Sequence, residues 1–469
     1  MEAEEMYVEV IDRIGDFKAL RGDWDRVYAS DDMAQVYLSW SWMAQWLPLL
    51  EKQWFVLAAK VAPEDGKYVA FFPLRARTHI ASNGGFFTEL AMAGNRFADY
   101  TGFICDPEFR EAAITAFGKH LRKMHWAAIN FESVRVAPDD MRRLLNCFSG
   151  RNFTVEARSM MIGNSDIDNS ICPYVDLPED WDAYLSGLSS NTRQKLRRLL
   201  RKVENSPELR VVHANAETIE DDIETLVKFW KVKWAAVKGD KLPSYELNLR
   251  STLRLAFNCD MLLLPVLYDG SRAVGAHGLL VDRQKKSFNF VVGSRDPDYT
   301  NPQPGLVLHA DTIRHAIGEG FTKYDFLRGN EAYKYSFGSK EWQIFSTVVK
   351  RKRKNARQAI LEQHSLPEAL ARVRRFHADG KAREAEIGYR QILKIDPRCA
   401  PALYGYGGLK MAQGEPTVAE AAFRSLLAVT GNSEKAWLAL GNALAAQNRW
   451  TDAEAARQRA MASKLTTLH

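Results

Sequence analysis

The C-terminal part of the chain obeys a 34-residue spacing, which restricts its fold more than any other feature of the sequence. Ala385, Ala419 and Ala453 are 34 apart, as are Gly380, Gly414 and Asn448, Tyr389 and Phe423, and Gly407 and Gly441. Pro397 and Gly431 end two of the units. Small residues are needed where paired helices cross closely, and Gly or Asn at the turn between them. The pattern predicts about three helical hairpins from Leu366 to the C-terminus. Just before them, residues 350–355 read KRKRKN. Such a run is either a solvated linker or a contact for anionic lipid or nucleic acid.

Trp437, Leu440, Gly441 and Ala453 in this spacing resemble the tetratricopeptide (TPR) repeat. That resemblance implies a concave groove that binds a peptide segment of a protein partner.

Upstream, strand and helix patterns mix. WFVLAAKV and KYVAFFPLRA flank PEDG, which signals a hairpin. A helical pattern near 109–124, the strand AAINFESV, a short helix from Asp139 and the strand FTVEARSM follow. Later, residues 261–294 read as three consecutive strands with turns at Asp269-Gly270 and Arg283–Lys286. A helix from Gly305 to Glu319 and the strand KYDFL complete this half. The two halves look alike, and the fold class is α+β, with no alternating βαβ dinucleotide fold. At 469 residues the chain exceeds one core. The expected divisions are 1–170, 171–350, a basic linker 351–365, and helical repeats 366–469.

Composition narrows the class. The chain is 46% hydrophobic and 26% charged, ordinary for a globular protein. Its net charge of +6 favours anionic partners only mildly, which counts against a nucleic-acid coat. Cys105, Cys147, Cys172, Cys259 and Cys399 are odd in number and show no CxxC spacing. This argues against a disulfide framework or zinc ribbon and for a reducing compartment, with no metal. The start, MEAEEMYVEV, has no apolar secretory segment, and the apolar run at Met261–Tyr268 is too short to span a bilayer. The expectation is a cytoplasmic protein, with peripheral contact at the inner membrane an open option.

Four stretches carry candidate chemistry. In the first, Pro302 and Pro304 bar helix before Gly305, and Leu306, Ala310, Ile313 and Ile317 then follow on one helical face. The free N–H groups of Gly305, Leu306 and Val307 would seat an anion, unless this is simply a capped helix packed on a sheet. The second, residues 189–204, alternates a leucine stripe with Arg193, Lys195, Arg197, Arg198, Arg201 and Lys202, with Ser190 or Asn191 as cap. That face is either solvated or meets a CoA phosphate, an acidic carrier, lipid headgroups or RNA. The third is His277 in GAHGLL, a strand histidine that is a general base or a structural residue. In the fourth, Asp325, Arg328, Glu331, Tyr333 and Lys334 cluster after a strand, lining a cleft or forming an internal ion network.

FFPLRA, LAMAGNRFADY, the basic stretch at 189–204 and the stretch from Pro302 to Gly338, in this order, resemble acetyltransferases of the cellulose-biosynthesis type. These are a FemAB-related branch of the GNAT superfamily, and the resemblance spans roughly residues 7–350. It implies tandem GNAT-like domains and an acyl-CoA donor bound by the second, at Gln303, Gly305, Leu306 and Val307 with Arg295. The common Q/R-x-x-G-x-G/A loop is absent, and a Pro-Gly start stands in its place. The implied base is His277, with Asp325 the alternative, and Tyr333 or Tyr299 would protonate the leaving thiolate. Arg193, Arg197, Tyr299, Arg328 and Lys334 are implied as contacts to donor phosphates or an anionic acceptor.

The function implied is acyl-CoA-dependent N- or O-acyl transfer to a cell-envelope or exopolysaccharide precursor. Three alternatives stay open: transfer to a lipid amine such as a sphingoid base, FemAB-like transfer from aminoacyl-tRNA, and a non-catalytic GNAT/TPR scaffold.

Overall fold

A computed structural model describes residues 6–50, 53–94, 98–163, 166–352 and 360–466. Two mixed sheets and a helical C-terminal region make up the α+β fold. Strand β1 (Tyr7–Ile11) leads into α1 (Ile14–Ala19), α2 (Arg21–Ser30) and α3 (Trp40–Trp46). β2 (Trp54–Lys60) and β3 (Ala70–Ile80) form the expected hairpin, in register from Trp54↔Arg75 to Ala59↔Ala70. β4 (Phe86–Met92) and the short β5 (Ile104–Cys105) both pair with β3. α4 (Arg110–Lys123) carries the chain to β6 (Ala128–Val134), parallel to β4. α5 (Pro138–Asn146) begins on Pro138, whose fixed φ suits a first helical turn, and β7 (Phe153–Ala157) follows.

The second half starts with β8 (Ile171–Asp176), α6 (Trp181–Ser186), α7 (Ser190–Glu204) and β9 (Leu209–His213). Two long helices, α8 (Ile219–Lys238) and α9 (Leu242–Asn258), come next. Then β10 (Leu262–Leu263), β11 (Pro265–Asp269), β12 (Arg272–Asp282) and β13 (Ser287–Arg295) supply the expected antiparallel run. α10 (Pro304–Gly318) leads to β14 (Lys323–Asp325), parallel to β13. α11 (Ala332–Tyr335), β15 (Lys340–Gln343) and β16 (Phe345–Arg351) close this part.

The strand orders are β1-β2-β3-β4-β6-β16-β7 and β9-β11-β12-β13-β14-β8-β15. Each is four antiparallel strands, a parallel neighbour reached through a helix, and two further antiparallel strands. β16 inserts between β6 and β7, so residues 345–351 belong to the first sheet. The expected boundary at 350 therefore runs through a strand of the other half.

The halves share a core. Phe17, Trp24, Trp40 and Trp54 pack with Leu280, Leu327 and Ile344, and Phe17 stacks on Trp40 with centroids 4.5 Å apart. Burying each such side chain contributes about 1.5–3 kcal/mol. Polar groups pin the seam: Tyr28 donates to Asp282, and Lys285 donates to the carbonyls of Ala29 and Asp31, both at 2.9 Å.

Six helices form three hairpins at the C-terminus: α12 (Leu366–Ala378), α13 (Ala382–Ile395), α14 (Ala400–Ala412), α15 (Pro416–Thr430), α16 (Glu434–Ala445) and α17 (Trp450–Thr466). Gly380, Gly414 and Asn448 turn the hairpins at φ of 73°, 75° and 59°, the left-handed region. A Cβ at Gly407 would lie 2.4 Å from the Phe423 ring, so this glycine marks a helix crossing. The region docks on the β3–β4 hairpin. The Phe86 amide donates to Gln391 at 2.8 Å, the Thr78 amide to Glu368 at 3.0 Å, and Phe86 packs with Ala369 and Val373. Of the expected basic linker, residues 353–359 lie outside the described residues, as do 353–355 of KRKRKN and 95–97 of LAMAGNRFADY. Among the described residues no helix is long and apolar enough to cross a membrane.

Candidate active site

β13 and β14 pair over three residues, Ser287–Asn289 against Lys323–Asp325, and beyond them β13 runs on to Arg295 paired with β12 on its other edge. The start of α10 and the inner face of α8 stand against this end of β13, leaving a cleft of about 830 Å³. β12 forms its floor. Its register with β13 slips between Gly278 and Leu279 and sets His277 opposite Gly293. A Cβ at Gly293 would lie 2.8 Å from the His277 ring and 2.7 Å from the Phe290 ring, so only glycine leaves room for both.

The cleft mouth is built for an anion. Gln303 starts α10 without a side-chain cap, and its first turn holds no acidic residue. The amides of Gly305 and Leu306 therefore have no intrahelical acceptor, and the space beside Gly305 is open. Val307 is different from the sequence expectation. Its amide donates to the Gln303 carbonyl at 3.2 Å, the first bond of the helix, and its side chain is fully buried against Leu199 and Leu267. Lys195, Lys233 and Arg295 line the cleft, and among the described residues no carboxylate does. Arg295 is held at the rim by donating to the carbonyls of Asp296 and Tyr299 at 3.2 and 2.9 Å. Lys202 ties α7 to the loop before α10 through Asn301, at 3.0 Å.

Deeper in, His277 is 3% exposed and its Nδ1 has no hydrogen-bond partner. Its ring lies 4.4 Å from that of His309 and 4.8 Å from Phe290. Burial, reinforced by the Lys233 charge, pushes its pKa down to about 3, so the imidazole is neutral. His309 is also held neutral, mainly by burial, and its Nδ1 lies 2.9 Å from the Tyr324 hydroxyl. Tyr333 lines the cleft, and burial, with Glu331, raises its pKa, which keeps its proton in place. Tyr299 also lines it, but its hydroxyl donates to Asp269 at 2.8 Å. Burial and that bond push its pKa up to about 12. The Tyr299 hydroxyl is thus already committed elsewhere.

The structure does not bring the remaining candidates to the cleft. Asp325 is fully buried at the seam between the halves, accepting from the Tyr100 hydroxyl at 2.9 Å and the Leu327 amide at 2.8 Å. Arg328 reaches across the same seam to Asp99 at 2.5 Å and Ser133 at 3.3 Å. Lys334 is buried in its own loop, donating to the carbonyls of Arg328 and Gly329 at 2.8 Å and pairing with Glu331. Arg197 pairs with the exposed Asp182, and Arg193 lies outside the cleft lining. The α7 cap is Ser189, which accepts from the Thr192 amide, and not Ser190 or Asn191.

Sequence reasoning missed Lys233, Phe229, Phe290 and His309. The stripe Ile219, Ile223, Leu226, Trp230 at i, i+4, i+7, i+11 would have announced α8 and hence Lys233. His309 carried a signal too, standing one turn after Gly305 on the same helix.

Chemically, the mouth suits a phosphorylated group, and the floor offers a neutral imidazole with an unengaged nitrogen. Among the described residues no cluster of His, Cys, Asp and Glu could hold a metal ion. No curated protein sequence matches the chain. In structure it is similar to FemX, at 12% identity over 71% of this chain and 96% of that one, with a TM-score of 0.47. It is similar to a conserved protein of unknown function from Bacteroides thetaiotaomicron, at 12% identity over 74% and 100%, with a TM-score of 0.42. A fifth of the chain is similar to MamA, at 24% identity over 21% of this chain and 54% of that one, with a TM-score of 0.21. Residues 190–335, from α7 to α11 and therefore all of the cleft lining but Ser336, match the family described as "Acetyltransferase (GNAT) domain".

Proposed function

We propose that the chain is an acyl-CoA-dependent N- or O-acyltransferase acting on a sugar amine or hydroxyl of a cell-envelope or exopolysaccharide precursor. The observation that carries this reading is one continuous cleft, uncapped and cationic at the α10 start and neutral at His277. Donor pyrophosphate sits on the Gly305 and Leu306 amides, with Lys195 and Arg295 beside it. The thioester then points inward. The acceptor nitrogen or oxygen attacks the carbonyl carbon, and the C–S bond breaks. His277 accepts a hydrogen bond from the attacking group and takes its proton as the new bond forms. Tyr333 gives its proton to the departing thiolate. Because a buried imidazolium is costly, His277 holds the proton only briefly.

The first sheet, with the same strand order, is proposed as a second GNAT-like unit of the tandem. The C-terminal hairpins are proposed as a tetratricopeptide array that recruits a protein partner in the cytoplasm. Calorimetric titration with acetyl-CoA and a long-chain acyl-CoA tests the assignment. Saturable binding of either, weakened by Gly305→Glu, is the expected result. Retention of aminoacyl-tRNA on a filter at low salt, with no binding of either thioester, would overturn it.

A further inference from the structure

The end of the α8–α9 hairpin carries large apolar side chains in the open. Val237 is 67% exposed, Leu247 64%, Val232 58% and Tyr245 44%. Scattered surface leucines and valines need no explanation, but several on one short hairpin end mark an interaction surface. The apolar groups are interleaved with cations. Of the lysines here, Lys231 is matched by Glu246, at 3.1 Å. Lys238 lies over two rings, 5.1 Å from the Trp234 centroid and 4.4 Å from that of Tyr245. Lys233 and Lys241 flank it, with Asp240 at the tip.

We infer that this hairpin end seats the protein on an anionic lipid bilayer. Valine and leucine enter the headgroup boundary, tyrosine and tryptophan lie at its level, and the lysines meet lipid phosphates. A second copy of the chain fits the surface poorly, because a two-fold contact would set Lys238 and Lys241 against their own equivalents. The seat also has a direction. Phe229, Val232 and Lys233 of the same helix line the cleft. Docking therefore sets the α8 wall of the cleft beside the membrane surface, where an acceptor with an apolar tail would arrive.

Co-sedimentation of the full chain with vesicles tests this without any activity assay. The chain should be retained by vesicles of phosphatidylcholine mixed with phosphatidylglycerol, and about tenfold less by phosphatidylcholine alone. The double variant V237E/L247E should lose about tenfold or more of that retention, and K238E/K241E should lose its dependence on phosphatidylglycerol. V237E/L247E changes exposed groups and K238E/K241E an exposed and a half-buried one, all outside the cleft, so thermal melting and acyl-CoA titration should match the parent. No retention on either vesicle, or retention unchanged in V237E/L247E, would overturn the inference. So would a dimer in light scattering that V237E/L247E dissolves while vesicles retain nothing. Failure of acyl-CoA binding in the parent, by contrast, would strike the catalytic proposal and leave the membrane seat standing.

Discussion

Helices α4 and α10 hold the same place in two sheets of the same strand order, each joining two parallel strands. α10 opens on Pro304 and Gly305 with no acid in its first turn. α4 opens on Arg110 and Glu111, and Asp106 and Glu108 lie just upstream. The Arg110 guanidinium is locked between Asp31 at 2.6 Å and Asp140 at 3.1 Å. A topology therefore provides a helix start after a strand, but the residues of the first turn decide whether an anion can sit there. The first half spends this position on an internal ion network, while the second leaves it open.

The contrast can be broken from both ends, beginning with the largest effect. His277→Gln should lower kcat by about 10²–10⁴, with acyl-CoA affinity nearly unchanged by calorimetry. A large loss of affinity instead would make His277 a binding residue. Arg110→Ala should cost about 3–5 kcal/mol in chemical denaturation, because it strands the buried Asp31. Donor affinity per folded molecule should stay the same. Gly305→Glu copies Glu111 of α4 onto the second position of α10. The added carboxylate enters open space, so melting should hold while acyl-CoA binding weakens by at least about tenfold. Unchanged binding would show that the two helix starts do not differ in the way described.

The smallest effect per step of the variable concerns pH. The folded pKa of His277, about 3, lies below the ordinary value near 6.5. Its neutral form is favoured by folding, so its contribution is whole above about pH 6.5 and is lost as pH falls toward 3. Stability should drop by about 1 kcal/mol per pH unit across that window, and the slope should flatten in His277→Gln.

What the sequence made legible follows its local signals. The helical hairpins could be read because left-handed turns at Gly380, Gly414 and Asn448 demand particular residues. The α10 start could be read because Pro302, Pro304 and Gly305 act within a few residues. Pairing between distant strands leaves no such mark, so the insertion of β16 beside β6 and of β8 beside β14 was invisible. Asp325 and Arg328 misled for a related reason. Dense polar groups at a strand end can face a cleft or a neighbouring domain, and here Tyr100 and Asp99 wait across the seam. The α8–α9 pair went unread, and with it Lys233 and the apolar hairpin end.

The crossing of β16 into the first sheet sets an order on synthesis. β7 has β16 as its sheet neighbour, so it waits without a partner while the ribosome makes the entire second half. Until Arg351 emerges, β6 presents a bare edge to the cell, the kind of edge that invites pairing with other chains. The segment that matches the acetyltransferase family must therefore be translated before the half that precedes it can close.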